Sequence, residues 1–326
     1  MEHVGLPILT QLVSNPEELV EAIQAANLEP CLLHRASTPS WMARVGCPQV
    51  CLDFVRLGSS FLFAGVMPKD CYTLVFVIDC PHKGNSFNFG TEHNDGYMGF
   101  FPPGGELDAY TPAGYSNASL TVPAEMFHAA VETSFPEIPE RLLKRGAGLR
   151  IGRRDQLPLR LLLSAVMNEI EDPASPLVGL KARRELERRL VDGFLVALRA
   201  GMDGLNTRVN SRTIKASRHL RQAREFIRES SCGPVQFDAL CGELGMSRRG
   251  VELMFRKSMG IGPAAYIRHQ RLHGVRRALL TAEPHSGAVK ELAIHWGFLH
   301  MGHFSRNYRE LFGECPSETL MRSVAT

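Results

Sequence analysis

"FRKSMGIGP" (255–263) and "YRELFGECP" (308–316) share one pattern: an aromatic, an arginine, a hydrophobic residue before glycine, and Gly-x-x-Pro. Upstream, "CGELGMS" (241–247) parallels "AIHWGFL" (293–299), each with a small residue four positions before a glycine. The spacing has a mechanical reading. A small side chain at Cys241 or Ala293 lets a following helix approach, and Gly245 or Gly297 supplies the positive φ of a sharp turn. A second helix then buries Val251 and Phe255 in one copy, and Phe304, Tyr308, Leu311 and Phe312 in the other. Gly260 or Gly313 ends that helix, and Pro263 or Pro316 blocks its continuation. Each copy is therefore a predicted helix-turn-helix, and "AAYIRHQRLHGVRRALLTA" (264–282) joins them as one long helix.

The charge distribution fits a nucleic-acid partner. Residues 205–326 carry 19 Lys/Arg against 10 Asp/Glu, leaving 18 against 24 in the first 204. A basic domain on an acidic body is the electrostatic pattern of a DNA binder with a separate regulatory domain, although a solvated charged surface would have the same count. The longest apolar run, "YTLVFVI" (72–78), is far too short to cross a bilayer, and "MEHVGLPILTQLVSNPEELV" has no basic signal-peptide start. Eight cysteines without regular spacing suggest reduced thiols in a cytoplasm. In "CPQVC", Cys47 and Cys51 would lie about 13 Å apart along a continuous strand, too far to share a bond or metal unless a turn intervenes.

The first 200 residues predict a different architecture. "SNPEELVEAIQAAN" reads as a helix capped by Asn15, with Pro16 in the first turn and Glu18 at the capping-box position. From 31 to 127, "QVCLDFVRL", "SSFLFAGVM", "CYTLVFVID", "GYMGFFPPGG" and "NASLTVPAEMF" read as strands of a barrel or sandwich. Helices follow at 157–171 and 177–200, apolar on one face, able to cover the β core or to form a dimer seam. The predicted fold class is thus α+β: an N-terminal β-barrel or sandwich with flanking helices (1–204), a linker (205–216), and an all-α domain of two tandem helix-turn-helix motifs (217–326). Phe87, Phe89, Glu92, His93, Tyr97 and Phe100 are candidates to line a small-molecule pocket.

The stretch from about 217 to 322 resembles the DNA-binding domain of the AraC/XylS family of bacterial transcription regulators. "SRRGVELMFRKSMGIGPAAYIRHQRL", "AVKELAIHWGF" and "FSRNYRELFGECPSETL" carry the resemblance. "MGIGP", "VRRALL" and "WGFLHMGHF" look most like the ethanolamine-operon regulator subgroup within it. The first 200 residues resemble the family only in layout, a cupin-like β domain followed by helices that dimerise in relatives. The resemblance implies a bacterial, cytoplasmic, homodimeric regulator that reads two successive major grooves of promoter DNA and works with RNA polymerase under a small effector. The subgroup's cobalamin cofactor is not carried over, because no Asp-x-His-x-x-Gly motif is present; no cofactor is expected.

By family position and helical phase, Ser247, Arg248, Arg249, Glu252, Leu253 and Arg256 face DNA in the first unit. His300, Met301, His303, Arg306 and Asn307 do so in the second. Arginine suits guanine O6/N7, Glu252 can accept from cytosine N4, and Leu253 offers apolar contact alone. Lys290, Arg218, Arg221, Arg268 and Arg276 are read as phosphate contacts or idle surface cations. His300 and His303 lack the further ligands of a tetrahedral metal site, so no metal is expected, and His295 is read as packing. No catalytic residue is expected. Two competing readings stay open: control by a protein partner without a small ligand, and a metal-dependent cupin enzyme with an accessory DNA-binding domain.

Overall fold

The N-terminal helix starts where local chemistry places it. In the computed structural model the Glu18 N–H donates to Asn15 Oδ1 (2.9 Å), while Glu18 Oε2 accepts from the Ser14 N–H (2.7 Å). This reciprocal cap satisfies donors that the first turn leaves orphaned. The structure describes residues 8–23, 26–81, 86–88, 91–93, 95–172, 175, 177, 179–202, 211–229 and 237–322, with backbone alone at 86–88, 91–93 and 211–218.

In chain order the elements are β1 (Ile8–Val13), α1 (Pro16–Ala22), β2 (Asn27–His34), β3 (Ser40–Gly46), β4 (Cys51–Arg56), β5 (Ser60–Val66) and β6 (Cys71–Asp79). There follow β7 (Ser86–Asn88), β8 (Thr91–His93), β9 (Tyr97–Phe101), β10 (Glu106–Thr111), β11 (Ser116–Pro123), α2 (Ala124–Ser134), α3 (Glu140–Arg145), β12 (Ala147–Arg150), α4 (Arg153–Glu171) and α5 (Leu180–Met202). The remainder is helical: α6 (Ser211–Glu229), α7 (Phe237–Leu244), α8 (Arg248–Met259), α9 (Pro263–Thr281), α10 (Ala288–His295), α11 (Met301–Phe312) and α12 (Pro316–Arg322). The α+β class is the expected one.

Contacts divide the chain into two units. One comprises Met1–Pro30, Thr38–Gly58 and Phe63–Asn210; the other comprises Ser211–Thr326 with the segments Cys31–Ser37 and Ser59–Leu62. Helix α6 begins inside the stretch read as a linker (205–216), of which 205–210 lie outside the described residues.

The strands form a seven-stranded sheet, ordered β1-β3-β4-β11-β6-β9-β12, and a five-stranded sheet, ordered β2-β5-β10-β7-β8. Both edge strands of the larger sheet, β1 and β12, fall outside the 31–127 interval expected to hold the β core. The β11 strand stops at Pro123, and "AEMF", read as strand, opens α2 instead. Alternation sorts the larger sheet into two faces. Leu52, Phe54, Leu74, Phe76, Met98, Phe100, Ala118, Leu120 and Val122 join one buried cluster with Phe127 of α2, Leu159 and Leu163 of α4, and Leu190 and Phe194 of α5. Helices α4 and α5 therefore cover this face.

A turn, the condition left open for "CPQVC", is present. The Cys47 N–H donates to the Val50 carbonyl (2.9 Å), and Cys51 pairs with Gly46 across the hairpin. Both thiols are free, and burial foremost pushes each up to about 12, so neither is poised to react near neutral pH.

Candidate nucleic-acid interface and inter-sheet cavity

Two short helix pairs in the second unit are built alike. Gly245 (φ 58°) and Gly297 (φ 82°) occupy the left-handed region at the two turns, as the spacing requires, and Gly260 (φ 70°) and Gly313 (φ 78°) cap α8 and α11. In α8, Val251, Met254, Phe255 and Met259 are buried; in α11, Phe304, Tyr308, Leu311 and Phe312 are. Their exposed faces differ.

In the first unit the Ser247 hydroxyl accepts from the Gly250 N–H (3.2 Å), giving α8 a side-chain N-cap. Arg248, Arg249, Leu253 and Arg256 are exposed and Glu252 half-buried. Three of these charges are already engaged. Arg248 donates twice to Asp238 of α7 (2.8 and 2.7 Å), and Arg256 meets Glu252 one turn away at 3.4 Å. The Arg248 hydrogen bond and charge hold the Asp238 carboxyl below its usual range. Arg249 makes no ion pair among the described residues.

The second unit has no side-chain cap: His300 occupies the N-cap position and contributes only its carbonyl, which accepts from the Phe304 N–H (3.0 Å). His300, His303 and Arg306 are exposed, with Met301 and Asn307 half-buried. The His300 and His303 rings stand edge-on, 6.3 Å apart, and no three His, Cys, Asp or Glu side chains come together among the described residues. Arg306 makes no ion pair there either. Leu299, just before His300, is 78% exposed, an apolar side chain at the mouth of α11 that helical periodicity did not single out because it belongs to the turn.

Behind α11 lies a network that sequence reasoning missed. Arg276 of α9, read as a surface cation, is 1% exposed. Its Nη1 donates to Glu314 Oε1 (2.6 Å), and its guanidinium stacks 4.6 Å from the Phe312 ring centre. Glu314 also accepts from the Thr319 hydroxyl (2.8 Å), which in turn bonds the Tyr308 hydroxyl (2.8 Å). The signal was available: Leu272, Arg276 and Leu279 fall at i, i+4, i+7, so the arginine sits in an apolar stripe. His295, read as packing, is exposed instead; Trp296 beside it does the packing. A β-carbon at Gly274 of α9 would lie 2.3 Å from the Trp296 ring, so this helical glycine marks the closest approach of α9 to the second turn.

In the first unit of the chain, the other face of the larger sheet looks toward the smaller sheet across a cavity of about 120 Å³. The rings of Phe63, Tyr97, Phe101 and Tyr115 line it, together with Asp53, Thr73, Asn117, Ser119 and Thr121. Of the pocket candidates, Tyr97 is correctly placed. Phe100 is not: it points to the opposite face, stacked on Tyr72 at 5.5 Å and on Phe127 at 5.6 Å. The side chains of Phe87, Glu92 and His93, and all of Phe89, lie outside the described residues.

A family model described as "Helix-turn-helix domain" matches residues 240–322. The XylDLEGF operon transcriptional activator of Pseudomonas putida is 27% identical over 290 residues, 83% of this chain and 81% of that protein. This chain is similar to DNA-binding transcription regulators of the AraC/XylS type. A second Pseudomonas putida relative, XylDLEGF operon transcriptional activator 2, is 38% identical over 96 residues, 29% of this chain and 61% of that protein. The crystal structure of the AraC-like transcriptional activator CuxR is 14% identical over 82% of this chain and 94% of that chain, with a TM-score of 0.43. The similar proteins are transcription regulators rather than enzymes. No described helix is long and apolar enough to cross a membrane.

Proposed function

We propose that α8 and α11 are the base-reading helices of a promoter-binding activator, entering successive major grooves. Arg249, Glu252, Leu253 and Arg256 would serve in the first, with Ser247 and Arg248 at its start, and His300, Met301, His303, Arg306 and Asn307 in the second. One observation carries this reading: each helix has a buried, mainly apolar back and an exposed front on which one arginine, Arg249 or Arg306, makes no ion pair among the described residues. Genome-wide mapping of bound DNA yields the operator. Footprinting on it with Arg249→Ala and Arg306→Ala then tests the reading faces, which are refuted if both variants protect the site as well as the parent chain.

The N-terminal unit would set activity by binding a small effector and by self-association. The cavity between the sheets supports the effector over control by a protein partner alone. Leu157 and Leu161, one turn apart on α4 and 55% and 61% exposed, support an α4 homodimer seam. Sedimentation of the full chain with both leucines changed to Gln tests this seam; an unchanged dimer excludes it. Activation through RNA polymerase, in a bacterial cytoplasm, follows the role named for the relatives. The narrower likeness to ethanolamine-operon regulators rests on its three motifs.

A further inference from the structure

We infer that the cavity between the two sheets takes an uncharged, largely aromatic molecule of about benzene size that carries one hydrogen-bonding group, seated against Thr73. The inference rests on the small-effector reading and narrows it to a chemical class.

Size comes first. At about 120 Å³ the cavity is slightly smaller than an engineered apolar cavity of about 150 Å³ that admits benzene. A ligand of about seven heavy atoms fills it. The rings of Phe63, Phe101 and Tyr97 provide faces and edges on which a flat ligand packs better than a branched one.

Polarity comes from strand parity. On β11 the side chains facing the helices are Ala118, Leu120 and Val122, whereas those facing the cavity are Asn117, Ser119 and Thr121. Cross-strand pairing sets Thr73 of β6 beside Thr121, and Asp53 of β4 beside Ser119. An interior that only needed filling would carry apolar residues on both faces. Thr73 sharpens the point. It is 5% exposed, and its hydroxyl has no hydrogen-bond partner among the described residues. A buried polar atom left unpaired costs roughly 1–3 kcal/mol, which a ligand hydroxyl or carbonyl would recover.

Charge is decided by the Arg44–Asp53 pair. Asp53 is the only ionisable carboxylate among the described lining residues, and Arg44, directly opposite on β3, donates to both its oxygens at 2.6 and 3.1 Å. The two charges cancel. A carboxylate ligand would have to pull Arg44 from Asp53 and leave that buried acid uncompensated, and an ammonium would compete with Arg44 for it.

Isothermal titration of the full-length protein with phenol, toluene, benzoate and benzylamine tests the inference, with Thr73→Val and Thr73→Ser as variants. Phenol and toluene have the same shape and differ in the hydroxyl. The expected result is phenol binding at least tenfold tighter than the other three, weakened about tenfold by Thr73→Val and retained by Thr73→Ser. Toluene equal to phenol, with Thr73→Val silent, overturns the hydrogen-bond assignment. Benzoate or benzylamine as the tightest probe overturns neutrality and leaves the effector reading standing. Silence from all four probes, with the fold confirmed by circular dichroism, overturns both.

Discussion

The two helix-turn-helix units follow one local plan, yet they are held together by different physics. The first places its ion pair at the surface: Arg248 and Asp238 link α8 to α7 in full solvent, and Ser247 caps the reading helix. The second buries its pair, with Arg276 and Glu314 tying α9 to the turn before α12, and leaves its reading helix uncapped. Surface pairs are screened and contribute little, whereas breaking a buried pair strands a charge. The second unit is therefore the one whose fold depends on a polar contact. On the proposed reading, the first engages an arginine of its DNA-facing side in a surface contact that DNA would have to displace.

The largest expected effect breaks that contrast directly. Arg276→Ala removes a fully buried guanidinium and its stacking on Phe312, leaving Glu314 with Thr319 and Arg322. Because Glu314 is 24% exposed, the cost should sit near the low end for a broken buried pair, about 3 kcal/mol. Urea unfolding followed by Trp296 fluorescence, in a Trp41→Phe background, reads it. Asp238→Ala, the matching change in the first unit, should leave the midpoint where it was. Equal losses in the two variants would erase the distinction.

A second test uses acid. His273 is buried in α9, edge-on to Phe312 at 5.1 Å, with Nε2 3.1 Å from the Leu32 carbonyl oxygen. Burial above all, then the charges of Arg277 and Arg276, push its pKa down to about 4, against the opposing pull of that hydrogen bond. Between pH 6.5 and 4 the unfolded chain binds a proton that the folded chain refuses, so the contribution is fully present above pH 6.5. It is lost as the pH falls toward 4. His273→Gln should flatten the stability of the second unit over this window. A pH profile unchanged by the substitution would remove His273 from the account.

How far the sequence alone reached follows from the range of the forces involved. The glycine, proline and aromatic spacing of the tandem repeat is local, and Gly245, Gly260, Gly297 and Gly313 were legible because φ > 0 is a property of single residues. The β core was legible as strands but not as faces. In "YMGFF" every residue is buried, since helices cover one face and the cavity is enclosed by the other. Apolar-polar alternation therefore could not tell Phe100 from Phe101. Strands β1 and β12 were missed because an edge strand is defined by a neighbour far along the chain. Arg276 was misread because a cation is exposed by default, and its partner lies 38 residues away.

The third prediction concerns recognition. Arg249→Ala and Arg306→Ala each remove an arginine that makes no ion pair among the described residues, and each should weaken operator binding by about 1–3 kcal/mol, a factor of roughly 10–100, if it pairs with guanine. Arg248→Ala should cost less, because its guanidinium must first leave Asp238. Asp238→Ala should then raise affinity slightly by freeing it. Electrophoretic shifts at two salt concentrations separate base contacts from phosphate contacts, which reduce the salt slope. If Arg248→Ala proves the most damaging of the three, the first unit reads DNA through the very residue its fold has engaged.

The smallest effect exchanges the caps. Ser247→Ala should destabilise the first unit by about 1 kcal/mol, and His300→Ser should stabilise the second by a similar or smaller amount, since serine at that position can accept an N–H that His300 does not. Binding separates the two roles of His300. As a DNA contact, its loss weakens operator affinity even while the helix gains stability; as mere geometry, a better-capped α11 binds at least as well. A His300→Ser protein that is both more stable and undiminished in affinity would move recognition inward to His303 and Arg306. The front of the second unit would then begin a turn later than that of the first.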